Sequence, residues 1–436
     1  MTTTEMDPPA ARRAAGPADG LPRLLPPVPG VPEDLRAHLA RYGRPPYRGG
    51  AGLLIPGAEA AGLTGRGGAA FPVYRKMAIV AGARGRKVIV ANGAESEPAS
   101  RKDALLLRVA PNLVLDGLQL AAEAIGASEA HLYLHPGVSQ EIWRARSQRA
   151  AAGIDWLDVT LTEAPPRFLA GQESALVNQL GGGPALPTFI PPRVTERGLG
   201  GAPTLVQNVE TLAHLALIAR YGPRWFRELG TGTEPGSMLT TVHQADGTSQ
   251  VIEVEIGSPL RTLLASQPEA QALLIGGFHG TWLPMSQAAS LTLDNATLNK
   301  RGAAIGAGVI AALPAGRCGL VEAARVARYL ATESAGQCGP CLNGLPRMAA
   351  GLAELAGRGH RRQVRADLER WAGPQNLVAG RGACNHPDGT VRFVASALTV
   401  FAPEIAVHAR GHCSATNRRP FLPLPDGMPT TEDDWI

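Results

Sequence analysis

Two stretches of this 436-residue chain carry residue types at spacings able to do chemistry. The first is Gly62-Leu63-Thr64-Gly65-Arg66-Gly67-Gly68-Ala69-Ala70-Phe71-Pro72. Glycine has no Cβ, so such a run lets backbone approach a ligand closely. Successive N–H groups in it can line a concavity that favours anions. The pattern Gly65-x-Gly67-x-x-Ala70 predicts a phosphate cradle of dinucleotide type, with a flexible surface loop as the rival reading. The preceding Ile55–Ala61 reads as a short helix, whereas a Rossmann loop follows a strand. The second stretch is Cys338-Gly339-Pro340-Cys341. Five cysteines without a secretory leader point to metal or redox work rather than a disulfide frame. A zinc half-site or a dithiol pair would use the same spacing.

The elements that must position these residues alternate. Lys76 lies one helical segment past the glycine run. A strand over 87–91 ends at Asn92-Gly93-Ala94-Glu95-Ser96-Glu97-Pro98, and α/β folds place ligands at such strand ends. Helices are expected over 103–108 and 111–125, strands at 131–134 and 159–162, and a helix over 142–151 between them. This is an α/β layer. A helix over 171–180 precedes a proline-rich loop running to Thr204, long enough to be functional, and another helix spans 208–221. From Ser237 the texture turns β-rich, with strands at 239–242, 251–256 and 273–277, a short helix over 260–265, and a small domain to about residue 300. A small-residue segment, 302–312, leads back to the core. Helices over 320–330, 346–356, 362–371 and 391–401 form a bundle with the cysteines at its helix ends.

Formal charge is +5 and the pI about 9.1, an arginine excess with no basic, aromatic-interleaved run, so nucleic acid is not an expected partner. No apolar stretch reaches the length of a transmembrane helix. Residues 1–40, rich in Pro, Ala and charge, read as a disordered tail without a signal-peptide core, and a cytoplasmic home is expected.

Several blocks together resemble the NADH-binding, FMN- and iron–sulfur-containing flavoprotein subunit of respiratory complex I and its relatives in NAD-linked hydrogenases and formate dehydrogenases. They are Gly65-Arg66-Gly67-Gly68-Ala69 with Phe71-Pro72, Asn92 with Glu95-Ser96-Glu97-Pro98, and Lys102-Asp103. Gly171-Gln172-Glu173-Ser174-Ala175-Leu176, Gln207-Asn208-Val209-Glu210-Thr211-Leu212-Ala213 and Glu333-Ser334-Ala335-Gly336-Gln337-Cys338-Gly339-Pro340-Cys341 follow in the family's order. The resemblance implies an α/β flavin-binding domain (41–235), a small β-grasp-like domain (236–300), a C-terminal helical bundle with the iron–sulfur site (301–412) and a tail (413–436). It implies FMN at Gly65, Gly67, Gly68, Lys76, Asn92, Glu95, Gly171 and Asn208, and NAD(H) near Phe71, Glu97 and Glu173. Asn92 and Asn208 also read as turn and helix-cap residues. The cluster, [4Fe–4S] or [3Fe–4S], falls to Cys338, Cys341 and Cys384.

The chain departs from this family at ligand positions. Ala94 stands for aspartate, Phe168 for tyrosine, Gln207 for asparagine, Gln172 for glutamate, Ile190 for a lysine and Arg193 for an aromatic residue. Ala335 replaces the first cluster cysteine, and His386 is a candidate replacement ligand beside the reading of a loop histidine. Cys318 and Cys413 are further candidates, though a lone cysteine is more often a small buried residue. The implied function is electron transfer from NAD(P)H through FMN to a cluster and a protein acceptor, with no catalytic acid or base. The setting implied is a larger redox complex of a kind that can be membrane-associated. The alternatives are exchange with ferredoxin, or a degenerate docking subunit.

Overall fold

Four short parallel strands carry the site: β1 (Val88–Gly93), β2 (Glu129–Leu134), β3 (Val159–Glu163) and β4 (Thr204–Asn208), in the order β3-β2-β1-β4. The computed structural model describes residues 20–47, 53–264, 270–357 and 362–425. Val88, Ile89, Val90 and Ala91 are fully buried, as parallel strands covered on both faces must be. The covering helices are α1 (Leu35–Tyr42), α2 (Leu54–Ala61), α3 (Val73–Gly82), α4 (Lys102–Val109), α5 (Pro111–Ile125), α6 (Ser139–Ala152), α7 (Glu173–Leu180) and α8 (Val209–Phe226). Helix α5 is buried along its whole length, opening on proline at its first turn and closing on left-handed Gly126. Helix α8 is broken at Gly222, just before Pro223.

The second sheet joins β5 (Ser237–His243), β6 (Ser249–Glu255), β7 (Ala270–Ile275), β8 (Thr281–Pro284) and β9 (Val309–Pro314) in the order β6-β5-β9-β7-β8. Three short helices lie between its strands: α9 (Leu260–Leu263), α10 (Met285–Ala288) and α11 (Asn295–Leu298). Helices α12 (Gly319–Thr332), α13 (Leu345–Ala356), α14 (Arg362–Ala372), α15 (His386–Val400) and α16 (Ala402–Ala409) follow. They share one apolar core, including Leu320, Leu330, Met348, Leu352 and Val394.

The expected helices and strands recur with shifted ends, except that Ala265 lies outside the described residues. Strands β4 and β8 are additions: each has only four or five residues and no long alternation to announce it. The small-residue segment 302–312 is not a plain lead to the core. Its second half begins β9, which pairs with both β5 and β7, so this sheet extends past residue 300. Its alanines suit an inner strand covered on both faces. Residues 20–40 are not a loose tail: Leu24 is fully buried, and Arg23 lies over the Trp225 ring at 3.9 Å. Residues 413–425 are likewise packed, with Leu422 buried and its N–H donated to Glu322.

The tightest crossing is α5 on α8. A Cβ built on Gly117 would sit 1.9 Å from the Leu212 carbonyl oxygen, backbone against backbone. Gly117→Ala is therefore expected to destabilise the fold by roughly 1–3 kcal/mol or more, read as a lowered denaturation midpoint, whereas Gly82→Ala, whose Cβ meets nothing within 4 Å, should cost little.

Candidate functional site

Strand order fixes where a ligand can enter. The chain runs from β1 outward through β2 and β3, then returns to place β4 on the other side of β1. The C-terminal ends of β1 and β4 therefore flank a topological switch point, the usual ligand crevice of open α/β sheets. Asn92 and Asn208 are register partners there. Asn92 donates to the Gly171 carbonyl at 2.8 Å. Asn208 caps α8 by accepting from the Glu210 N–H and donates to Asp103 at 2.7 Å. Both asparagines thus brace the crevice floor through protein contacts, as turn and cap residues do.

The glycine run arches over that floor. Its neck is closed by the Gly65 N–H donated to the Phe71 carbonyl and a bridge between Thr64 and Pro72. Gly67 backs onto Asn208, where a Cβ would come within 3.3 Å, and Gly68 has a φ of +105°. The loop's one cation, Arg66, turns inward: its N–H meets Thr211 and its guanidinium meets Thr64 and the Pro235 carbonyl.

Beside this arch is a cleft of about 560 Å³, within the size range of small-molecule sites. Gly67, Gly68, Glu97 and Gly171 line it together with Gly276, Gly306, His279, Cys384, His386 and Arg392. Gly171 must stay bare, since a Cβ would lie 2.6 Å from the Ser96 hydroxyl. Glu97 accepts from the Phe278 and Ala99 N–H groups, and burial pushes its carboxyl up to about 7. Gln172 accepts from the Ser174 and Ala175 N–H groups and so caps α7.

Other expected ligands have structural partners. Lys76 pairs with Glu173 at 2.6 Å and donates to the Val206 carbonyl, off the lining. Glu95, at a φ of 42°, accepts from the Asp103 and Ala104 N–H groups at the start of α4, and burial with Asp103 nearby pushes it up to about 7. Phe71 is half exposed, and Ile190 and Arg193 are exposed outside the lining. His279 and Arg392 are not evident from the sequence. The Gly276-Gly277-Phe278-His279 turn after β7 is the only signal for the first, and Arg392 is an ordinary helix arginine until α15 is docked.

Cys338 and Ser334 lie within hydrogen-bonding reach of Cys341, and Cys384 is near enough to act on it electrostatically. Burial and these thiols push Cys341 up to about 12. His386 does not complete the set. Its Nε2 must donate to the Leu330 carbonyl at 2.8 Å, which leaves Nδ1 to accept from His279 Nε2 at 2.9 Å. Burial holds both rings below their ordinary values, His386 to about 4. Both nitrogens of a neutral His386 are therefore committed.

The residues present fit FMN and a thiolate-held cluster. Gly67, Gly68 and Gly171 line a cleft of suitable size, and a Cβ at Gly171 would collide with the Ser96 hydroxyl at 2.6 Å. Three neighbouring thiols are the donor chemistry of iron–sulfur centres. Such a set is compatible with a flavin- and cluster-binding redox subunit. Residues 58–217 match the Nuo51 FMN-binding domain, and residues 322–408 the NADH-ubiquinone oxidoreductase-F iron–sulfur binding region. A subunit of the NADH-quinone oxidoreductase of Rhizobium meliloti is 29% identical over 367 residues, covering 79% of this chain and 86% of that protein. Its counterpart in Streptomyces coelicolor is also 29% identical, covering 82% of this chain and 83% of that protein. A solved chain of NAD+-reducing [NiFe]-hydrogenase in the H2-reduced state aligns at a TM-score of 0.73 and 28% identity. That match covers 82% of this chain but 62% of the hydrogenase chain. The chain is thus similar along most of its length to the FMN- and iron–sulfur-binding flavoprotein subunits of NADH-quinone oxidoreductase, and divergent from them.

Glu97 yields a pH test. Its carboxyl is neutral in the fold up to about pH 7 but ionises near its ordinary value of 4.5 once unfolded. The folded state binds the extra proton, so this group's contribution is full below about 4.5 and is lost as pH rises to 7. The melting temperature of Glu97→Gln relative to the parent should rise from about pH 4.5 to about pH 8, a trend measurable by calorimetry. A constant offset would assign Glu97 an ordinary pKa.

Proposed function

We propose that this chain is an NADH dehydrogenase-type electron-transfer subunit that passes electrons from NADH through FMN to an iron–sulfur cluster and on to a protein acceptor. FMN supplies the exchange between two-electron and one-electron chemistry. The observation that carries the reading is the shared cleft: Gly67, Gly68 and Cys384 all line it. In this reading Gly65, Gly67, Gly68 and Gly171 give the flavin close backbone approach, and Asn92 and Asn208 hold the floor. Glu97 and Glu173 orient the nicotinamide donor, Lys76 fixes Glu173, and Glu95 secures the turn. Cys338, Cys341 and Cys384 hold the cluster, and its acceptor is a further redox subunit of the same complex. The second sheet is read as β-grasp-like and the helices after β9 as the cluster domain. A cytoplasmic location goes with this reading.

Ferredoxin is the alternative donor, favoured by Ile190 where the family carries a dinucleotide-binding lysine. An anaerobic spectrum of the FMN- and cluster-reconstituted chain separates them. Bleaching of the flavin band by NADH supports the first reading. Bleaching by reduced ferredoxin alone supports the second, and no flavin binding would overturn both in favour of a docking role.

Ala335 leaves the cluster one thiolate short of the usual four. The parent protein should lose about one iron in four on brief air exposure, and Ala335→Cys should retain it, as counted by iron analysis. Equal retention would mean that another group already fills the fourth position.

A further inference from the structure

Four ligand-type side chains that the redox reading does not use converge at the far end of α12. Cys318 precedes that helix, Glu404 and His408 stand one turn apart on α16, and Cys413 follows it. Each offers one ligand atom, and the four atoms lie within 4.8 Å of one another. Cys318 and His408 are buried; Glu404 and Cys413 are partly exposed, which leaves an entry path. Cys318 Sγ is 3.6 Å from His408 Nε2 and 3.9 Å from Glu404 Oε1, and His408 Nε2 is 3.0 Å from Glu404 Oε1. Ligand atoms at ordinary zinc bond lengths around a tetrahedron stand about 3.4–3.8 Å apart. The three separations among Cys318, Glu404 and His408 need adjustments of only a few tenths of an ångström, and the 4.8 Å bound on the set leaves Cys413 at most about 1 Å to move.

The surroundings prepare these atoms for a cation. His408 Nδ1 lies 3.2 Å from the Leu355 carbonyl, which can only accept, so Nδ1 keeps a proton; Nε2, 3.0 Å from Glu404 Oε1, is the nitrogen that shares a proton with that carboxylate and is freed for a cation when the proton leaves. A carbonyl behind a ligating histidine is the usual way its tautomer is fixed. Glu404 accepts from the N–H and hydroxyl of Ser414, which fixes its carboxylate. The Leu320 and Val321 N–H groups bond the Cys318 sulfur from the start of α12 and favour the thiolate.

We propose that Cys318, Glu404, His408 and Cys413 form a structural zinc site, distinct from the cluster thiols. Binding displaces to solvent the two thiol protons and the proton shared between His408 Nε2 and Glu404, and leaves two thiolates, one neutral imidazole and one carboxylate on the metal. Four protein ligands close the coordination sphere, so the site is structural rather than catalytic. Helix α12, about 21 Å long at 1.5 Å per residue, separates it from the Cys338–Cys341 end. The mechanical consequence is local. Zinc would staple the segment from Cys413 to Leu422 onto the bundle, beside the bonds from Thr416 and Asn417 to the Gly316 carbonyl and from Phe421 and Leu422 to Glu322.

The test uses the purified full chain, reduced and desalted after exposure to zinc, with metals counted by mass spectrometry and the coordination read from the zinc K-edge. The expected result is about one zinc per chain in a shell of two sulfurs and two nitrogen or oxygen atoms. Glu404→Gln should lower zinc retention, and Cys413→Ser should abolish it, while both keep the iron. Zinc loss should also speed tryptic cleavage after Arg418. Three results would overturn the proposal: substoichiometric zinc, a three-sulfur shell lost in Cys341→Ser, or a Cys318–Cys413 disulfide in the freshly purified protein. The unsubstituted chain supplies the decisive spectrum, so poor folding of a variant does not decide the outcome.

Discussion

One buried ammonium ties the parts of this molecule together. Lys102, 3% exposed, donates to Asp103 at 2.7 Å and to Glu210 at 2.8 Å. Burial alone would lower its pKa, but the two carboxylates outweigh that and raise it, so the charge persists. Each partner reaches onward. Asp103 takes the Asn208 amide at the end of β4, and Glu210 accepts the Leu239 N–H of β5 in the second sheet. Glu95 holds the start of α4, which carries Lys102. A buried ion set of this kind adds little net stability, yet loss of one member costs on the order of 3–5 kcal/mol because the others are left uncompensated. Its effect is geometric: it fixes the ends of β1, β4, α4 and α8 against β5, and those ends frame the cleft.

Given that frame, close backbone approach does the rest. Gly276 and Gly306 pack so tightly that a Cβ on Gly306 would lie 2.6 Å from the Gly276 carbonyl oxygen. Gly277 similarly admits Glu97, whose carboxylate would meet a Cβ at 2.5 Å. The second sheet therefore supplies a wall of the cleft through these turns, and α15, packed against His279, adds His386 and Arg392 to the lining. A flavin-sized cleft with one thiol, Cys384, in its lining results where these elements meet beside the switch point.

Much of this is legible in the sequence where local physics dominates. Helix α5 announces itself by its apolar repeat, its opening proline and closing Gly126. The Asp246–Gly247 turn marks the β5–β6 hairpin. The polar cluster after β1 marks the crevice. What stays hidden depends on tertiary placement. Strand β4 is too short to show a period, and the alanines of β9 suit an inner strand without advertising one. No local pattern says that Lys76 pairs with Glu173, that Glu95 turns away from the cleft to cap α4, or that Arg66 points inward. His386 reads as a spare ligand in the sequence, yet His279 and Leu330 occupy both of its nitrogens in the fold. Cys318 and Cys413 read as isolated thiols because α16 alone brings them together.

The most direct test of the account is a crystal structure of the FMN-loaded chain. The flavin should lie in the cleft between Gly67–Gly68 and Gly276, above the Asn92–Asn208 pair, with Cys384 at the cleft's edge. Density for FMN in the separate cavity of about 310 Å³ lined by Leu54, Leu120 and Ile218, or an empty cleft at saturating FMN, would contradict it.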